Sequence, residues 1–345
     1  MTAGQARAAA REWMAEKAGR IRGFRAAYSA GSTNWLTDDA ELATGSDVDI
    51  LVVAEGDREA GRRKKFRYRD ALLEVSFLRD DELQPDRVLR DYHLAPSLYT
   101  TQVLFDPFGR LAPLRAEVMR EYARRRRVRE RCANARDKVL AHLRSIDEQA
   151  PLHDQAIACL FAAGVTTHVL LVAGLCNPTI RARYVAVRKL LAGYGQLAFH
   201  EALLELLGTA ALERARVEQH VAAAPEMFDA ACGALRTWVP FAADITAMAR
   251  ASAIDGSAEP IARGLHREAM FWVAVTQSRC QKVFATDAPA LAERFHGSYL
   301  GMLRDLGIAT AADIRRRREE IEAVLPRVWE VAEQIIDANR EIGSE

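Results

Sequence analysis

The pattern of apolar and polar residues changes along this chain, and the change falls near residue 110. Before that point, short apolar runs rich in β-branched residues alternate with glycine-containing turns, a pattern typical of strands. After Pro113, long stretches lack glycine and proline and have the composition and spacing of helices. We therefore predict a small domain of mixed α and β structure at residues 1–112, followed by an all-α domain at 113–345.

The expected elements follow from these runs. The N-terminal part predicts a helix from Ala3 to about Ile21 and strands over Phe24–Ala30, Asp47–Val53, Lys65–Tyr68, Leu72–Leu78 and Gln102–Phe105. The C-terminal part predicts helices over Leu114–Ile146, Asp154–Ala173 and Thr179–Ala192, then over roughly 198–207, 210–223, 226–238, 242–253, 260–283, 288–304 and 311–341. Pro225 is expected to separate two of these helices, and Pro326 to kink or split the last.

Charge and cysteine content exclude several classes of protein. The 48 basic residues offset 47 acidic ones, so no long nucleic-acid contact and no polybasic membrane contact are expected. The five cysteines form no CxxC pair, which argues against a structural zinc site or a disulfide framework. The N-terminus has no apolar signal core, and the apolar stretch around Ala162–Leu175 is too short to span a bilayer. These features predict a cytoplasmic protein; the sequence does not indicate its oligomeric state.

Candidate chemistry is concentrated between residues 27 and 79. Gly31 and Ser32 follow a predicted strand, where glycine permits close backbone approach and the serine hydroxyl can donate to a phosphate oxygen. Asp47 and Asp49 open the next strand, and alternate residues of a strand project to one face, about 7 Å apart at Cα. Two like charges held so close favour a divalent cation, and Mg²⁺ prefers carboxylates together with substrate phosphates.

Glu74 supplies a third carboxylate from a strand flanked by apolar residues. A neighbouring strand would place it beside the aspartates, where it could complete the metal site or act as the general base. The sequence does not separate these roles. Asp91 and His93 form a weaker alternative for the base, and His168, on an apolar helix, is expected to be a core histidine.

The order Gly31-Ser32, Asp47-Val48-Asp49 and Leu73-Glu74-Val75 resembles the nucleotidyltransferase superfamily with a polymerase-β-like palm, in particular the aminoglycoside nucleotidyltransferases. The resemblance implies an α+β fold: a mixed sheet with flanking helices, then a helical domain that closes the nucleotide cleft. It implies Mg²⁺ on Asp47 and Asp49, contacts from Gly31 and Ser32 to the triphosphate, and Glu74 as third acid or base. The motifs cover about a sixth of the chain.

The sequence departs from this family in one loop and leaves its basic residues open. The segment between Ser32 and Asp47 is several residues longer than in the family and contains additional acids, Asp38, Asp39 and Glu41. Arg188 and Lys189, with Arg181 and Arg183 before them, either contact the leaving pyrophosphate from the rim of the cleft or form an exposed amphipathic face. The basic run Arg62, Arg63, Lys64 and Lys65 is expected to form a solvated hairpin tip.

Together these features predict a Mg²⁺-dependent enzyme that moves a nucleoside monophosphate, AMP from ATP, onto a hydroxyl of a small molecule. By resemblance the acceptor is similar to an aminoglycoside, as in antibiotic resistance. Two alternatives stay open: the same fold acting on a protein or RNA hydroxyl, and a non-catalytic nucleotide-binding regulator or antitoxin-like partner. The acceptor, the base preference and whether the site is active cannot be deduced from the sequence.

Overall fold

A computed structural model describes residues 1–43, 45–56 and 63–343. The chain divides into two compact units. The first, called the sheet unit, comprises the described residues of Met1–Arg131, Leu175–Pro178 and Glu341–Glu345. The second, called the helical unit, comprises Cys132–Gly174 and Thr179–Arg340. The sheet unit thus continues past residue 112.

The sheet unit contains one mixed five-stranded sheet in the order β3-β4-β2-β1-β5. Its elements are α1 (Ala3–Lys17), β1 (Phe24–Ala30), β2 (Val48–Ala54), β3 (Arg63–Tyr68), β4 (Ala71–Arg79), α2 (Pro85–Arg90), α3 (Leu94–Thr100), β5 (Val103–Phe105), α4 (Leu111–Glu121) and the start of α5 (Arg125–Arg144). β2 and β4 are parallel, whereas the other neighbouring pairs are antiparallel. The predicted α+β class and all five predicted strands are confirmed.

Helices cover both faces of this sheet because the strands alternate apolar side chains between the two faces. On one face, Val48 and Ile50 of β2 are fully buried against alanines and Met14 of α1. On the other, Tyr28 and Val53 pack against apolar residues of α2, α3 and α4. β2 is therefore a central strand with a core on each side.

The helical unit is built from the rest of α5 and nine further helices among the described residues. They are α6 (Leu152–Ala173), α7 (Arg183–Gly193), α8 (Phe199–Leu207), α9 (Arg214–Ala234), α10 (Arg250–Ala253), α11 (Ala258–Ala262), α12 (His266–Asp287), α13 (Pro289–Asp305) and α14 (Ala311–Ala338). α6 and α12 are buried over most of their length and form the centre of the bundle. By length and composition α6 could cross a membrane, so the expectation of too short an apolar stretch is wrong, but 83% of its most apolar window is buried.

Several predicted helix boundaries are wrong. The helix expected over Leu114–Ile146 breaks after Glu121, because the backbone at residues 123–125 hydrogen-bonds with Gly343 from the far end of the chain. The helix expected over Thr179–Ala192 begins only at Arg183, since the carbonyl of Thr179 accepts from His168 Nε2 at 2.9 Å.

Neither predicted proline break is present, and one predicted helix is replaced by an irregular segment. Pro225 lies inside the continuous helix α9, and Pro326 inside α14, so neither divides a helix. Buried residues flank both positions, which indicates that packing outweighs the lost backbone hydrogen bond. The helix expected over 242–253 is instead made of two 3-10 turns and the short α10.

Candidate active site

Strand register brings the predicted acids together. Ala30 at the end of β1 pairs with Asp49 of β2, Asp49 pairs with Glu74 of β4, and Glu74 pairs with Lys65 of β3. Directly paired residues project to the same face of a sheet, so Asp49, Glu74 and Lys65 form one row across three strands. We call Asp47, Asp49, Glu74 and Lys65 the acidic row, because Asp47 contacts Lys65 from just before β2.

Alternation along β2 and β4 fixes which face the acids take. Val48 and Ile50 are fully buried in the core formed with α1, and so are Leu73 and Val75 of β4, at 0% and 2% exposure. Side chains of a strand alternate between faces, so Asp49 and the residues paired with it must project to the other side. Burial of the apolar set therefore sets the position of the charged set.

Lys65 lies between two of the carboxylates. Its Nζ is 2.5 Å from Asp47 Oδ2 and 2.9 Å from Glu74 Oε2. Arg63, two residues earlier on β3, adds a contact of 3.1 Å between its Nη1 and Glu74 Oε1. The side chains of Lys65, Asp47 and Glu74 are only 4%, 10% and 8% exposed. The prediction that Lys65 belongs to a solvated hairpin tip is therefore wrong.

The basic run does not form the hairpin turn. β3 and β4 are joined by Arg69 and Asp70, whereas Arg63 and Lys65 lie at the opposite end of the hairpin. Arg62 lies outside the described residues. Lys64 is exposed and lies between the two, so it projects from the other face of β3.

The charge state of Lys65 is set by opposing effects. Burial lowers the pKa of its ammonium group, but the charges and hydrogen bonds of Asp47 and Glu74 outweigh burial and raise that pKa above its ordinary value. Lys65 is therefore a permanent cation at neutral pH.

Gly31 contacts the remaining acid of the row. Its φ is +75°, which glycine adopts without strain, and a methyl group at Gly31 would overlap Oδ2 of Asp49. Ser32 is exposed and begins a 3-10 turn that ends at Trp35. The structure thus places the predicted glycine-serine turn directly beside the predicted acids.

Arg7 is a residue near this turn that sequence reasoning missed. It lies on α1 and is 3% exposed, and its guanidinium donates to the carbonyl oxygens of Thr33 and Leu36. It also pairs with Asp38 at 2.5 Å. One of two arginines in an alanine-rich helix gives no sequence signal for such a role. Arg7 ties the backbone that follows Gly31 to the first helix.

Two of the three additional acids of the long loop contact α1 or the residue before it. Asp38 pairs with Arg7, and its carbonyl accepts from Gly4 at 3.0 Å. Glu41 forms an isolated bridge with Thr2. Asp39 is exposed, and hydrogen bonds from the Thr37 side chain and the backbone lower its pKa. The described contacts of Asp38 and Glu41 therefore belong to the N-terminal helix rather than to the acidic row.

The alternative base has a structural role. Asp91 Oδ1 accepts from the backbone nitrogens of His93 and Leu94, both at 2.8 Å. Leu94 is the first residue of α3, so the carboxylate of Asp91 accepts a hydrogen bond from the start of that helix. These hydrogen bonds account for Asp91, and a part for Asp91 or His93 as the general base stays a prediction.

The predicted phosphate-binding cations lie in the helical unit. Arg188 and Lys189 are both exposed on α7, and Arg188 Nε is 3.5 Å from the buried carboxylate of Glu268. Arg183, on the same helix, is buried over the ring of Phe271. A contact of Arg188 or Lys189 with nucleotide stays a prediction.

A cavity of about 900 Å³ opens at the other end of β2. Arg20, Ala54, Glu55, Lys64 and Phe77 are among the residues that line it. The residues of the acidic row are absent from its described lining. The two ends of β2 therefore differ, and the convergent charges lie at the end without this cavity.

The acidic row supplies some of the oxygen ligands that Mg²⁺ prefers. Asp47 and Glu74 offer hard oxygen donors that already converge on one cation, the ammonium of Lys65. Among the residues that the structure describes, no three His, Cys, Asp or Glu side chains lie arranged to hold a metal ion. The row therefore fits an ion that brings phosphate ligands with it, and does not fit one held by three protein carboxylates.

Comparison with known proteins gives little beyond this geometry. No protein-family model matches the chain, and no curated protein matches it. A solved structure of a nucleotidyltransferase-like protein from Exiguobacterium sibiricum 255-15 aligns over 93% of this chain and 90% of that chain. The identity is 10% and the TM-score is 0.27.

Proposed function

We propose that this protein is a nucleotidyltransferase that moves a nucleoside monophosphate, AMP from ATP, onto a hydroxyl group of a small molecule. The observation that supports this proposal is the row Asp49, Glu74 and Lys65 across three strands, with Gly31 in contact with Asp49. Carboxylates that converge beside a glycine-serine turn suit a reaction in which phosphate oxygens and a cation must be held together.

The residues have separable tasks in this proposal. The backbone of Gly31 and the hydroxyl of Ser32 hold phosphate oxygens of the nucleotide. Two of the three carboxylates Asp47, Asp49 and Glu74 would hold Mg²⁺ together with phosphate oxygens of the nucleotide, and the bound ion would neutralise charge on the triphosphate. Arg7 keeps the turn in place through the carbonyls of Thr33 and Leu36.

The transfer is a substitution at the α-phosphorus. The oxygen of the acceptor hydroxyl forms a bond to that phosphorus, and the bond from it to the bridging oxygen of the β-phosphate breaks. Pyrophosphate leaves with the electron pair of the broken bond, and the proton of the hydroxyl passes to a carboxylate of the acidic row. Arg188 and Lys189 of α7 are proposed to stabilise the departing pyrophosphate.

The acceptor is proposed to be a small cationic molecule, similar to an aminoglycoside. An excess of carboxylates in the row favours a positively charged acceptor. The formal charge of +1 for the whole chain disfavours extended contacts with RNA.

The experiment is a screen of aminoglycosides and other polyhydroxylated amines with each of the common nucleoside triphosphates and Mg²⁺. Pyrophosphate release measures turnover, and mass spectrometry of the acceptor measures transfer. The proposal expects an acceptor that gains the mass of one nucleoside monophosphate together with stoichiometric pyrophosphate. Labelling of a protein or an RNA end instead would assign the same chemistry to a macromolecular acceptor.

The ion pairs of Lys65 with Asp47 and Glu74 favour a second candidate, a nucleotide-binding protein without turnover. Two acids that are already neutralised can be retained for structure alone. Calorimetric titration with ATP separates the two: binding without pyrophosphate release, over the full acceptor screen, supports the second candidate.

A further inference from the structure

Lys65 occupies the position where carboxylate oxygens converge. Its Nζ contacts Asp47 Oδ2 and Glu74 Oε2 at once, at 2.5 and 2.9 Å, and its side chain is 4% exposed. Lysine is rarely buried to this degree unless it is paired. The ammonium group is therefore held as a counterion within the row.

A divalent ion and this ammonium group compete for the same oxygens. An ion bound to Asp47 and Glu74 would lie a few ångströms from Nζ, and two cations so close in a poorly solvated site repel each other strongly. Lys65 must therefore move before such an ion can bind. Its flexible four-carbon stem permits this movement, provided that another anion receives the ammonium.

We propose that Lys65 is an internal cation that keeps divalent metal out of the acidic row until the phosphates of a nucleotide accept its ammonium group. This inference rests on the proposed function for the identity of the ligand. It deepens that function by making metal binding conditional on nucleotide. Lys65 then acts as a positioning residue: its ammonium group neutralises the carboxylates in the protein without nucleotide and the phosphates in the protein with nucleotide bound.

The charges of the row support this exchange. Asp47, Asp49 and Glu74 carry three negative charges, and Lys65 and Arg63 carry two positive ones. Counted over these residues, one net negative charge remains, so with Lys65 in place the row attracts a divalent ion less than three unneutralised carboxylates would. Removal of the ammonium restores an attraction that the three carboxylates would otherwise exert.

The test measures Mn²⁺ binding by electron paramagnetic resonance of the free ion, in the absence of nucleotide. Wild type is expected to bind Mn²⁺ weakly, whereas Lys65→Met and Lys65→Gln are expected to bind it at least about tenfold more tightly. Lys64→Met is the matched control, since it removes the same charge from a neighbouring exposed residue that projects to the other face of β3, and it is expected to bind Mn²⁺ as wild type does.

Circular dichroism shows whether each variant folds, and the glutamine variant provides the result if the methionine variant does not fold. Lys65→Arg, which keeps the charge, is expected to bind Mn²⁺ as weakly as wild type. Equal Mn²⁺ affinity in wild type and both neutral variants, or tight Mn²⁺ binding by wild type alone, would overturn the exclusion of metal by Lys65.

A second measurement tests the part played by nucleotide. A fluorescent ATP analogue is titrated with and without Mn²⁺, and Mn²⁺ is expected to strengthen its binding to the protein in wild type. Because coupling is reciprocal, this strengthening reports nucleotide-dependent metal entry. Analogue binding that ignores Mn²⁺ overturns the conditional step. Absence of analogue binding in every variant contradicts the proposed function instead, while the nucleotide-free Mn²⁺ result still decides the role of Lys65.

Discussion

The two units bury charged side chains in different ways. In the helical unit, Arg279 meets Asp244 at 3.0 Å, with the two side chains 10% and 11% exposed, and His220 meets Asp305 at 2.7 Å. In both cases an acid contacts basic groups, and Asp305 also contacts a second basic side chain at 2.5 Å. Arg279 also lies over the ring of Trp272 at 5.1 Å, so aromatic carbon encloses the pair. Such pairing is what a stable interior requires.

The sheet unit instead gathers like charges. Asp49 and Glu74 are paired across two strands, Asp47 shares a lysine with Glu74, and none of this helps to fill the core. Converging carboxylates are costly to bury, and such arrangements are concentrated at functional sites. The number of buried charged residues is thus a poor indicator of a functional site. Several groups of like charge that meet at one place are a better indicator.

The largest expected effect is a loss of activity when one carboxylate of the sheet unit is replaced. Asp49→Asn is expected to lower pyrophosphate release about a thousandfold, since loss of an acid at the reacting centre costs about 4 kcal/mol. Asp39→Asn, an exposed acid of the preceding loop, is the control and should retain full activity. Comparable activity in both variants would remove Asp49 from the site; circular dichroism verifies that each remains folded.

Replacement of a paired charge in the helical unit should affect folding rather than chemistry. Arg279→Met leaves Asp244 buried without this cation and is expected to lower the free energy of unfolding by about 3 kcal/mol. The double variant Arg279→Met, Asp244→Leu should recover most of that loss, because both buried charges are gone. Urea denaturation followed by tryptophan fluorescence measures both. A double variant as unstable as the single one would contradict the assignment.

Alanine substitutions at two glycines test whether the contact between the glycine-serine turn and Asp49 is important. Gly31→Ala should cost about 1–2 kcal/mol of stability from its positive φ. It should also weaken ATP binding about tenfold, because the added methyl group displaces the carboxylate of Asp49. Gly56→Ala has the same backbone strain, with φ of +88°, but among the described residues no atom lies within 4 Å of its added carbon. Calorimetry with ATP should therefore separate the two variants, and equal affinities would show that contact with Asp49 is unimportant.

The smallest effect is a pH dependence that should be confined to the helical unit. Burial, with help from Lys138 and Arg183, lowers the pKa of His142 from 6.5 to about 4. Below pH 6.5 His142 binds a proton in the unfolded chain but stays largely neutral in the folded chain. The free energy of unfolding therefore decreases as pH falls toward 4. The loss at pH 5 is about 1 kcal/mol after allowance for partial exposure.

Burial also lowers the pKa of His153, His200 and His220, all in the helical unit. His93 is the one histidine in the sequence of the sheet unit. Hydrogen exchange at pH 5 and pH 7 should therefore show faster opening of α5 and α9 at pH 5 than of the strands. His142→Gln should reduce that difference, and uniform acceleration in both units would contradict the histidine explanation.

The sequence was sufficient to predict the strands that hold the acids. Alternation in β2 and β4 identifies the buried set, and with it the common face of Asp49 and Glu74. That Glu74 lies beside Asp49 follows once β2 and β4 are neighbours. Because the roles of these carboxylates depend on bound ligands, the catalytic assignment stays a prediction.

Lys65 was missed because composition does not show where a hairpin turns. Arg69 and Asp70 form the turn, with φ of +45° and +66°, in the left-handed region that two-residue hairpins use. A turn there fixes Tyr68 opposite Ala71 and therefore Lys65 opposite Glu74. The signal was the aspartate in the turn, which tolerates this conformation.

Helix boundaries failed where distant residues act. Nothing near residue 123 predicts a break, since the partner is Gly343 at the far end of the chain. Local rules likewise overstate Pro225, because the flanking Ala224, Met227 and Phe228 are buried in the bundle and keep α9 continuous. Non-local packing decides such cases, and a single sequence does not reveal it.

The alternation in β2 has a consequence for how mistakes in assembly are removed. If β2 shifted by one residue against β4, Asp49 would project toward the alanines of α1. Val48 and Ile50 would then no longer be buried against that helix. A chain with this shifted register would thus lack the proposed active site and would also be less stable. The hydrophobic effect that selects the register of the sheet therefore also fixes the positions of the carboxylates on its other face.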